Sequence, residues 1–587
     1  MKNFHLSSVR TLLLSLILPA GASSLFAQGV TTAAMNGIIT DDTGLELPGA
    51  NVIAVHEPSG TQYGVATRSA GVYTIPNMRI GGPYTVTVSF IGYSSRTEGD
   101  VYLSLGQNLR LDFVLAEDAV QFDDIVVTAE KNQVLNADRT GAQTTIDEGM
   151  VRDMPSVKRS IRDLTRIDPR NDGNMAFAGR NWLYNNISLD GSYFNNSFGL
   201  DDPGVGGQAG AEPIPYDAVA EVQVSVAPFD VRQGGFTGAN VNTVTKSGTN
   251  TFRGSIYTFF RNESLIGNRV DGNDVVASPD LSFNQSGIRL GGPIIENKLF
   301  FFVNAELERR DDPGTDFVAN RDDKLEFGES RVQASVMDQI SRRMKDVYGY
   351  ETGPYEGYVN ETNNDKIIAK IDWNINRSNN LMVRYNYLDA SRDLGPHPFV
   401  LSANNTGRGP NETSLPFQNS GYAINNNLHS VALELNSRGS TFANRFFASF
   451  NRFRDSRTPR SVPFPTIEIA EGGVTYTTIG MEPFSANNIL DQDVLQLTNN
   501  FTFFTGKHAV TVGLNFEKYD FFNSFNIFRN GVFFLPDFLD FLCATTFSSL
   551  DDFMRRTDRS SDDFYDFNAC ATPDFNPADK SNPFKGE

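Results

Sequence analysis

The sequence predicts a mainly β fold with three parts: a small immunoglobulin-like sandwich, a mixed α/β segment, and the antiparallel strands of a transmembrane β-barrel. Three observations predict this order. Short alternating runs broken by glycine turns come first, as in antiparallel sandwiches. Longer stretches with period-two alternation recur from about residue 252 onward. Short and long connections alternate between these later stretches, as in membrane barrels.

Length and composition narrow the class of protein. The chain has 587 residues, which is enough for several domains. After the first thirty residues, no apolar run approaches the roughly 20 residues that a membrane helix needs. The 46 Phe and 19 Tyr are typical of strands and of membrane-interface girdles. A mean hydropathy of −0.31 is compatible with a barrel, because only every second residue faces lipid.

The charge of the chain argues against one class of partner. The formal net charge is −20 and the isoelectric point is about 4.8. A surface this acidic repels phosphate backbones, so we do not expect nucleic acid as a partner.

Residues 1–27 have the pattern of an export signal. Lys2 and Arg10 supply positive charge, and an apolar run of about eight residues follows at 11–18. Cleavage after Ala22 fits the small-residue rule, and cleavage after Ala27 is the alternative. The competing interpretation is a buried N-terminal helix. We expect an exported protein whose cysteines can be oxidised.

Residues 33–116 predict the sandwich. Strands are expected near 37–41, 47–55, 63–67, 71–75, 84–90 and 109–115. Gly71-Val72-Tyr73 and Phe90-Ile91-Gly92-Tyr93 resemble the carboxypeptidase regulatory-like domain, which has a carbohydrate-binding-like fold. The five histidines (5, 56, 397, 429 and 508) have no metal-ligand spacing. No metal site, catalytic site or cofactor is therefore expected.

Residues 122–129 form a short acidic and apolar segment. Ile125, Val126, Val127 and Thr128 are β-branched and lie in polar surroundings, which favours an extended strand that needs a partner. The segment resembles the TonB box, by which outer-membrane receptors contact the energy-transducing protein TonB. The resemblance implies the following contact residues: Asp123, Asp124, Ile125, Val126, Val127, Thr128 and Ala129. The alternative is an ordinary last strand of the sandwich.

Residues 130–250 predict the α/β part. A helix is expected over 157–167, a strand ending in an Asp-Gly turn over 186–191, and an alternating strand over 219–226. Gly204–Gly210 lacks the Lys-Ser/Thr ending of a phosphate loop. The run from Ile214 to Asn250 resembles the end of the plug and the first barrel strand of Oar-like TonB-dependent receptors. The resemblance implies that 130–250 is a plug domain.

Residues 251–587 predict the barrel. Residues 367–375 and 381–388 alternate around a short turn, and three further pairs follow the same pattern: 283–291 with 299–307, 428–436 with 442–450, and 495–503 with 510–516. A strand of about eleven residues spans roughly 36 Å, which crosses a membrane core of about 25 Å when it is tilted by about 45°. Contact with outer-membrane lipid is therefore expected.

The connections predict which side faces outward. Short turns near 293–298, 376–380, 437–441 and 504–508 alternate with long connections near 262–281, 309–365, 391–426, 454–492 and from 521 onward. Outer-membrane barrels place short turns in the periplasm and long loops outside. We count about nine strands, whereas the resemblance implies about 22. The chain is thus expected to be a C-terminally truncated piece, and an oligomerising half-barrel is the alternative.

The resemblance implies a receptor in the cell outer membrane. It would bind a bulky extracellular solute (a siderophore, oligosaccharide, peptide or protein) and transport it with energy from TonB. Asn-rich and aromatic parts of 185–200 and 391–426 are the expected ligand contacts, unless those asparagines only solvate loops. The alternative is a carbohydrate-binding adhesion protein anchored by its barrel. An enzyme is not expected, because no triad, metal cluster or nucleotide loop is present in the sequence.

The two cysteines, Cys543 and Cys570, lie in the last predicted outside loop. In an exported protein such a pair favours a disulfide. Mass spectrometry of the unreduced protein should find the two peptides joined, whereas two freely alkylated thiols would contradict the assignment.

Overall fold

The computed structural model describes most of the chain between residues 30 and 530. The described residues are 30–117, 126–127, 142–156, 158–196, 204–228, 230–267, 269–274, 281–322, 324–398, 407–471, 473–485, 488–528, 530 and 545–547. The predicted signal at 1–27, the pair Cys543 and Cys570, and most of 122–129 lie outside these residues.

Eight strands form the N-terminal sandwich. They are β1 (Ala33–Asp41), β2 (Asn51–His56), β3 (Thr61–Ala66), β4 (Val72–Met78), β5 (Gly81–Ser89), β6 (Arg96–Leu103), β7 (Asn108–Arg110) and β8 (Phe113–Leu115). One sheet has the order β4-β1-β7, with β8 also on β1, and the other has the order β3-β2-β5-β6. Every second residue of β1 is buried, and the core between the sheets includes Tyr73 and Tyr84. The predicted strand at 109–115 is two strands, and β6 was not predicted.

The next strands belong mainly to a second domain. β9 (Val126–Val127) pairs with the sandwich, and β10 (Ala142–Ile146), β11 (Asn186–Leu189), β12 (Ser192–Tyr193), β13 (Val219–Val226) and β14 (Ala239–Thr245) follow. Strands β10 to β14 form a sheet of order β10-β13-β14-β11-β12. We call residues 142–245 the inner domain.

Two short helices complete the inner domain. They are α1 (Glu148–Asp153), which was not predicted, and α2 (Ile161–Thr165). The helix predicted over 157–167 is shorter because Arg159 has a left-handed φ of 50° and Ser160 caps the first turn of α2. The guanidinium of Arg159 lies 4.3 Å from the ring centroid of Phe259.

The remaining elements begin at residue 253. They are β15 (Arg253–Asn262), β16 (Arg269–Val270), β17 (Asn273–Asp274), β18 (Ser282–Ile295), β19 (Leu299–Pro313), β20 (Val318–Asn320), β21 (Glu329–Gln333), α3 (Ala334–Tyr348), β22 (Val359–Asn376), β23 (Asn379–Leu394), β24 (Tyr422–Arg438), β25 (Phe442–Pro459), β26 (Ile467–Glu471), β27 (Val474–Ile479), β28 (Ile489–Thr505), β29 (His508–Ser524) and β30 (Thr545–Phe547).

Nine of these strands form one antiparallel sheet, which we call the wall. Its order is β15-β18-β19-β22-β23-β24-β25-β28-β29, so each strand pairs with its neighbour among the wall strands. All four predicted strand pairs are present, including Ile371 opposite Val383 and Leu433 opposite Ala448. The predicted count of nine strands is confirmed.

The two faces of the wall have inverted polarity. Ile371, Trp373 and Tyr385 are exposed on the outer face, whereas Arg384 and Asn386 are buried on the inner face. A sheet that exposes apolar side chains and buries polar ones suits lipid outside and a polar filling inside. The inner domain provides this filling, because its core includes Ile368 and Leu388 of the wall.

The long connections contain a folded unit that the sequence analysis treated as polar loop. Residues 318–350, 415–417 and 464–479 share a hydrophobic core, and we call this unit the cap. Met337, Ile340 and Met344 of α3 are buried in it. No helix within the described residues is long and apolar enough to cross a membrane.

The sandwich is joined to the inner domain at Leu105. The Leu105 amide donates to Glu221 Oε1 over 2.7 Å, and Gln223 Nε2 donates to the Leu105 carbonyl. Gly106 has a φ of 69°, and a Cβ there would lie 2.8 Å from Gln223 Nε2. The left-handed φ at this position favours glycine.

The sandwich is also joined to the wall at the end with short turns. Arg79 forms an ion pair with Asp372 at 3.4 Å, and Asn374 Nδ2 donates to Thr61 Oγ1 over 2.9 Å. The guanidinium of Arg438 lies 4.2 Å from the ring centroid of Tyr63. These contacts fix the sandwich against the short-turn end of the wall.

Glu221 makes the joint with the inner domain sensitive to pH. Burial raises the pKa of Glu221 to about 8, although the bond from the Leu105 amide acts in the opposite direction. Asp147 adds to the increase in pKa by repulsion. Between pH 4.5 and about 8, Glu221 is therefore protonated when the sandwich is bound to the inner domain, whereas an exposed Glu, with its usual pKa of 4.5, is ionised.

Binding of the sandwich to the inner domain should weaken as the pH rises from about 4.5 to about 8, since the bound state holds more protons than the separated state. Glu221→Gln keeps an acceptor for Leu105 and should remove this dependence. Hydrogen exchange at the Leu105 amide, corrected for intrinsic exchange, measures the effect. Glu148→Gln, which changes an exposed carboxylate of the same domain, is the control. Equal pH dependence in wild type and Glu221→Gln would contradict the assignment.

Candidate functional site

The turn after β11 positions an acidic side chain toward the wall. The sequence predicted an Asp-Gly turn here, and Asp190 and Gly191 have φ values of 43° and 83°. The Asp190 carboxylate is 1% exposed. It accepts hydrogen bonds from the Thr245 amide over 2.9 Å and from the Thr245 hydroxyl over 2.7 Å. These two bonds tie the turn to the end of β14.

Two basic side chains of the wall face Asp190. Arg384 Nη1 lies 3.5 Å from Asp190 Oδ2, and Lys370 Nζ lies 3.8 Å from Asp190 Oδ1. Arg384 is completely buried, and it also donates to the Leu189 carbonyl over 2.6 Å and to the Ser192 hydroxyl over 2.8 Å. The wall thus holds the inner domain at both sides of one turn.

We call the cluster of Asp190, Lys370 and Arg384 the anchor. The two positive charges of the anchor keep Asp190 ionised. Burial alone would raise its pKa, but Lys370, Arg384 and the bonds from Thr245 outweigh burial and lower the pKa of Asp190 below its usual range. The anchor is therefore a buried ionic cluster in which two cations face one ionised carboxylate.

Further hydrogen bonds join the inner domain to the wall. Asn386 Nδ2 donates to the Pro213 carbonyl over 3.0 Å, and Ser255 Oγ donates to Asp217 Oδ2 over 2.6 Å. Asn304 and Asn364 also face inward from the wall and are almost fully buried.

A cavity of about 650 Å³ lies where the sandwich, the inner domain and the wall meet. Its lining includes Arg79, Glu221, Lys246, Lys370 and Glu434. Both signs of charge alternate around it, so the lining does not select anions or cations alone.

A second buried ionic group, on the long-loop side, joins Glu468 of the cap to Arg408. Arg408 Nε pairs with Glu468 Oε2 at 2.7 Å, and both side chains are nearly inaccessible. Burial raises the pKa of Glu482, whose Oε2 accepts hydrogen bonds from the Phe484 and Ser485 amides. The ion pair therefore links the connection that contains Arg408 to the cap.

The asparagines expected to contact ligand in 185–200 have a different role where they are described. Asn185 Oδ1 accepts from the Ala239 amide over 2.9 Å, and Asn186 Nδ2 donates to Asn240 Oδ1 over 2.9 Å. Both are buried links within the inner domain, so they neither solvate a loop nor face a ligand. Residues 197–200 and 399–406 lie outside the described residues.

The predicted TonB-contact segment is described only at Val126 and Val127. They form β9, which pairs in parallel with Thr97 and Glu98 of β6. Asp123, Asp124, Ile125, Thr128 and Ala129 lie outside the described residues. The extended conformation at 126–127 is the one that both interpretations of the segment require.

The histidine of the sandwich has a structural environment. His56 Nδ1 lies 2.6 Å from Ser59 Oγ, and its ring centroid lies 4.9 Å from that of Tyr84. Burial lowers the pKa of His56 to about 3. Within the described part of the chain, no group of three or more His, Cys, Asp or Glu could hold a metal ion.

Asp190→Asn should destabilise the packing of the inner domain, because Lys370 and Arg384 would remain buried without their counter-charge. Breaking a buried ion pair in this way costs about 3–5 kcal/mol. Thermal unfolding in detergent micelles measures the effect. Asp153→Asn, at an exposed pair with Arg152, should leave the unfolding temperature nearly unchanged. Equal effects of the two substitutions would rule out the anchor.

Comparison with known proteins gives two family matches. Residues 244–555 match the outer membrane beta barrel domain, and residues 34–116 match the carboxypeptidase regulatory-like domain. A curated relative is the TonB-dependent transporter Oar of Myxococcus xanthus, which is 24% identical over 302 residues. This relative confirms the resemblance to Oar-like receptors. It is a transporter rather than an enzyme, in agreement with the prediction.

Solved structures of outer-membrane proteins superpose only loosely. The siderophore receptor PirA of Pseudomonas aeruginosa has 14% identity and a TM-score of 0.39, covering 65% of this chain and 48% of the receptor. The outer membrane transporter YddB of Escherichia coli has 12% identity and a TM-score of 0.42, covering 64% and 47%. Superpositions this loose carry no inference about ligand.

The chain spans only part of the proteins that it matches. The match to Oar covers 48% of this chain and 27% of Oar, and the match to the solved receptors covers about half of each. The family match extends over more than half of the present chain. The chain therefore belongs to the outer membrane beta barrel domain family, and it is an outer-membrane protein with an N-terminal carboxypeptidase regulatory-like domain.

Proposed function

We propose that the protein is a TonB-dependent receptor that binds a bulky extracellular solute and transports it across the outer membrane. The observation that carries this proposal is the inner domain, which fills the polar concave face of the wall and is anchored there through Asp190. A domain in this position blocks the pore until it moves. We assign it as the plug.

The plug requires a source of mechanical energy. The outer membrane is separated from the nucleotide-using proteins of the cell, so work has to be delivered by another protein from the inner membrane. Residues 122–129 lie between the sandwich and the plug in the chain, and an extended segment can pair with the sheet edge of a partner. We assign this segment as the contact with TonB.

The cap and the outer surface of the plug are the surfaces we assign to solute binding. The cap unites three long connections, and long connections lie outside in outer-membrane barrels. Its shared core gives these connections a fixed shape, which lowers the entropic cost of binding a large ligand. Siderophores, oligosaccharides, peptides and proteins remain the candidate solutes.

A carbohydrate-binding adhesin is less consistent with the position of the sandwich. The sandwich contacts the wall at three places in or near its short turns. Arg68 Nε donates to the Gly506 carbonyl over 3.3 Å, Asn77 Nδ2 donates to the Asn444 carbonyl over 3.5 Å, and Asn374 binds Thr61. Short turns face the periplasm, so the sandwich would not meet an extracellular surface.

The proposal predicts separate effects on binding and on transport. Replacement of residues 122–129 by a Gly/Ser sequence of equal length should abolish uptake but leave binding unchanged, because Val126–Val127 pairs with the sandwich, which contacts the short-turn end of the wall, away from the cap. A panel of isotope-labelled ferric siderophores, oligosaccharides and peptides provides the ligands for whole-cell binding and uptake assays. The same replacement at residues 130–137 is the control. Undiminished uptake after replacement of 122–129 would refute the proposal.

A further inference from the structure

The chain immediately before β1 lies between the plug and the wall, and we call residues 30–32 the strap. On the plug side, Asn242 Nδ2 of β14 donates a hydrogen bond to the Val30 carbonyl. On the wall side, Thr31 Oγ1 donates to Glu434 Oε2 over 2.7 Å. Two successive residues of the strap are therefore bonded to two different parts of the molecule.

The wall side of the strap is a charged pair on the inner face. Glu434 of β24 and Arg445 of β25 pair at 2.8 Å, and Glu434 Oε1 also accepts a hydrogen bond from Asn436 Nδ2 over 2.6 Å. Arg445 Nη2 donates to Thr31 Oγ1 over 3.0 Å. The Thr31 hydroxyl therefore donates to a carboxylate and accepts from a guanidinium at the same time. Hydrogen bonds to charged groups are stronger than those between neutral groups.

The plug side of the strap is the centre of the plug sheet. Strand β14 is third in the order β10-β13-β14-β11-β12, so it has a partner strand on each side. Asn242 is fully buried, and its Oδ1 accepts a hydrogen bond from Ser188 Oγ of β11 over 2.7 Å. Asn242 thus links β11, β14 and the strap. The strap therefore acts on the centre of the plug rather than on its edge.

The other end of the strap is fixed to the sandwich. The strap continues directly into β1, and the Gly106 amide donates to the Thr32 carbonyl over 3.1 Å. Three extended residues span at most about 10 Å. Strand β14 can therefore move only a short distance from the sandwich before the bond between Asn242 and Val30 breaks.

The anchor holds the same central strands as the strap. Asp190 lies in the turn after β11, and it accepts two hydrogen bonds from Thr245 at the end of β14. Thr31 and Asp190 line the same cavity, so both restraints face one space. The strap and the anchor thus act jointly on β11 and β14.

The edge strand β10 is held by fewer bonds. Among the described residues, it pairs with β13 alone, whereas β14 has a partner strand on each side. Gln143 Nε2 of β10 also donates to the Leu105 carbonyl of the sandwich over 3.3 Å. Segments with fewer contacts open at a lower free energy than the central strands of a sheet. The edge that contains β10 therefore separates before the centre does.

We propose that the strap holds the centre of the plug on the wall, so that opening is confined to the edge of the plug that contains β10. This inference rests on the proposed function, in which a pull on the plug opens the pore. The chain enters the plug at β10, so a pull at this entry acts first on the strand with fewer partners. The strap and the anchor keep β11 and β14 in place meanwhile. The solute then passes along the side that β10 has left.

The first test removes the bonds between the strap and the wall. Thr31→Val keeps the shape of the side chain but lacks the hydroxyl that binds Glu434 and Arg445. Hydrogen exchange of the full-length protein in detergent should rise about threefold to tenfold in β11 and β14, as expected for the loss of one or two hydrogen bonds, with exchange in β10 unchanged. Thr31→Ser keeps the hydroxyl and should exchange as wild type does.

The matched control is Thr32→Val, because Thr32 is held through its carbonyl and should not depend on its hydroxyl. Mass spectrometry of the mature N-terminus shows whether the neighbouring variants are processed alike. Unchanged exchange in β11 and β14 of Thr31→Val would overturn the inference. An equal increase in β10, or an equal effect of Thr32→Val, would overturn it as well.

A cell-based assay separates this inference from the proposed function. Vancomycin is a large hydrophilic antibiotic that an intact outer membrane excludes. Cells that produce Thr31→Val should become about fourfold more sensitive to it, since loss of a hydrogen bond increases the open population by this order. The same cells without TonB should keep wild-type sensitivity. Wild-type sensitivity in cells with TonB would overturn the inference, whereas equal sensitisation with and without TonB would support the strap and contradict the TonB dependence of the proposed function.

Discussion

The structure depends on a sheet that faces lipid on one side and a polar interior on the other. Period-two alternation assigns every residue of the wall to one of these environments, and a shift of one residue would place Arg384 in lipid and Tyr385 inside. The polar inner face cannot close on itself as a hydrophobic core does. It requires a polar or amphipathic filling, and the inner domain supplies it. The inner domain therefore has to present polar or amphipathic surface to the wall.

The same constraint explains how the plug is held. Lys370 and Arg384 are buried cations, and a buried cation is stable only with a counter-charge and satisfied hydrogen bonds. Asp190 provides the charge, and the main chain around it provides acceptors. Replacement of the whole cluster by apolar residues would not preserve function if the plug has to leave, because the vacated wall would then expose apolar surface to water.

The sequence allowed the wall to be predicted with its pairing, because each strand pairs with the next wall strand and the turns are short. It also identified the Asp-Gly turn at Asp190, but not its role as an anchor. Lys370 and Arg384 are nearly two hundred residues away, and periodicity carries no information about such a contact. Strand β6 was missed because the bulge at Asp100 disrupts alternation. The cap was missed because its core comes from three connections that are polar on average.

The attachment of the sandwich at two places determines where a pull on residues 122–129 would act. On one side of this segment, the sandwich is bound to the wall through Arg79 and Arg438 and to the plug through Leu105. On the other side, the chain leads to β10, which is an end strand of the inner-domain sheet and, among the residues that the structure describes, pairs with β13 alone. A strand of five residues with one partner has fewer bonds to lose than a domain bound to the membrane-embedded wall. Under the proposed function, the sandwich would therefore act as a fixed support, and the plug would begin to open at β10.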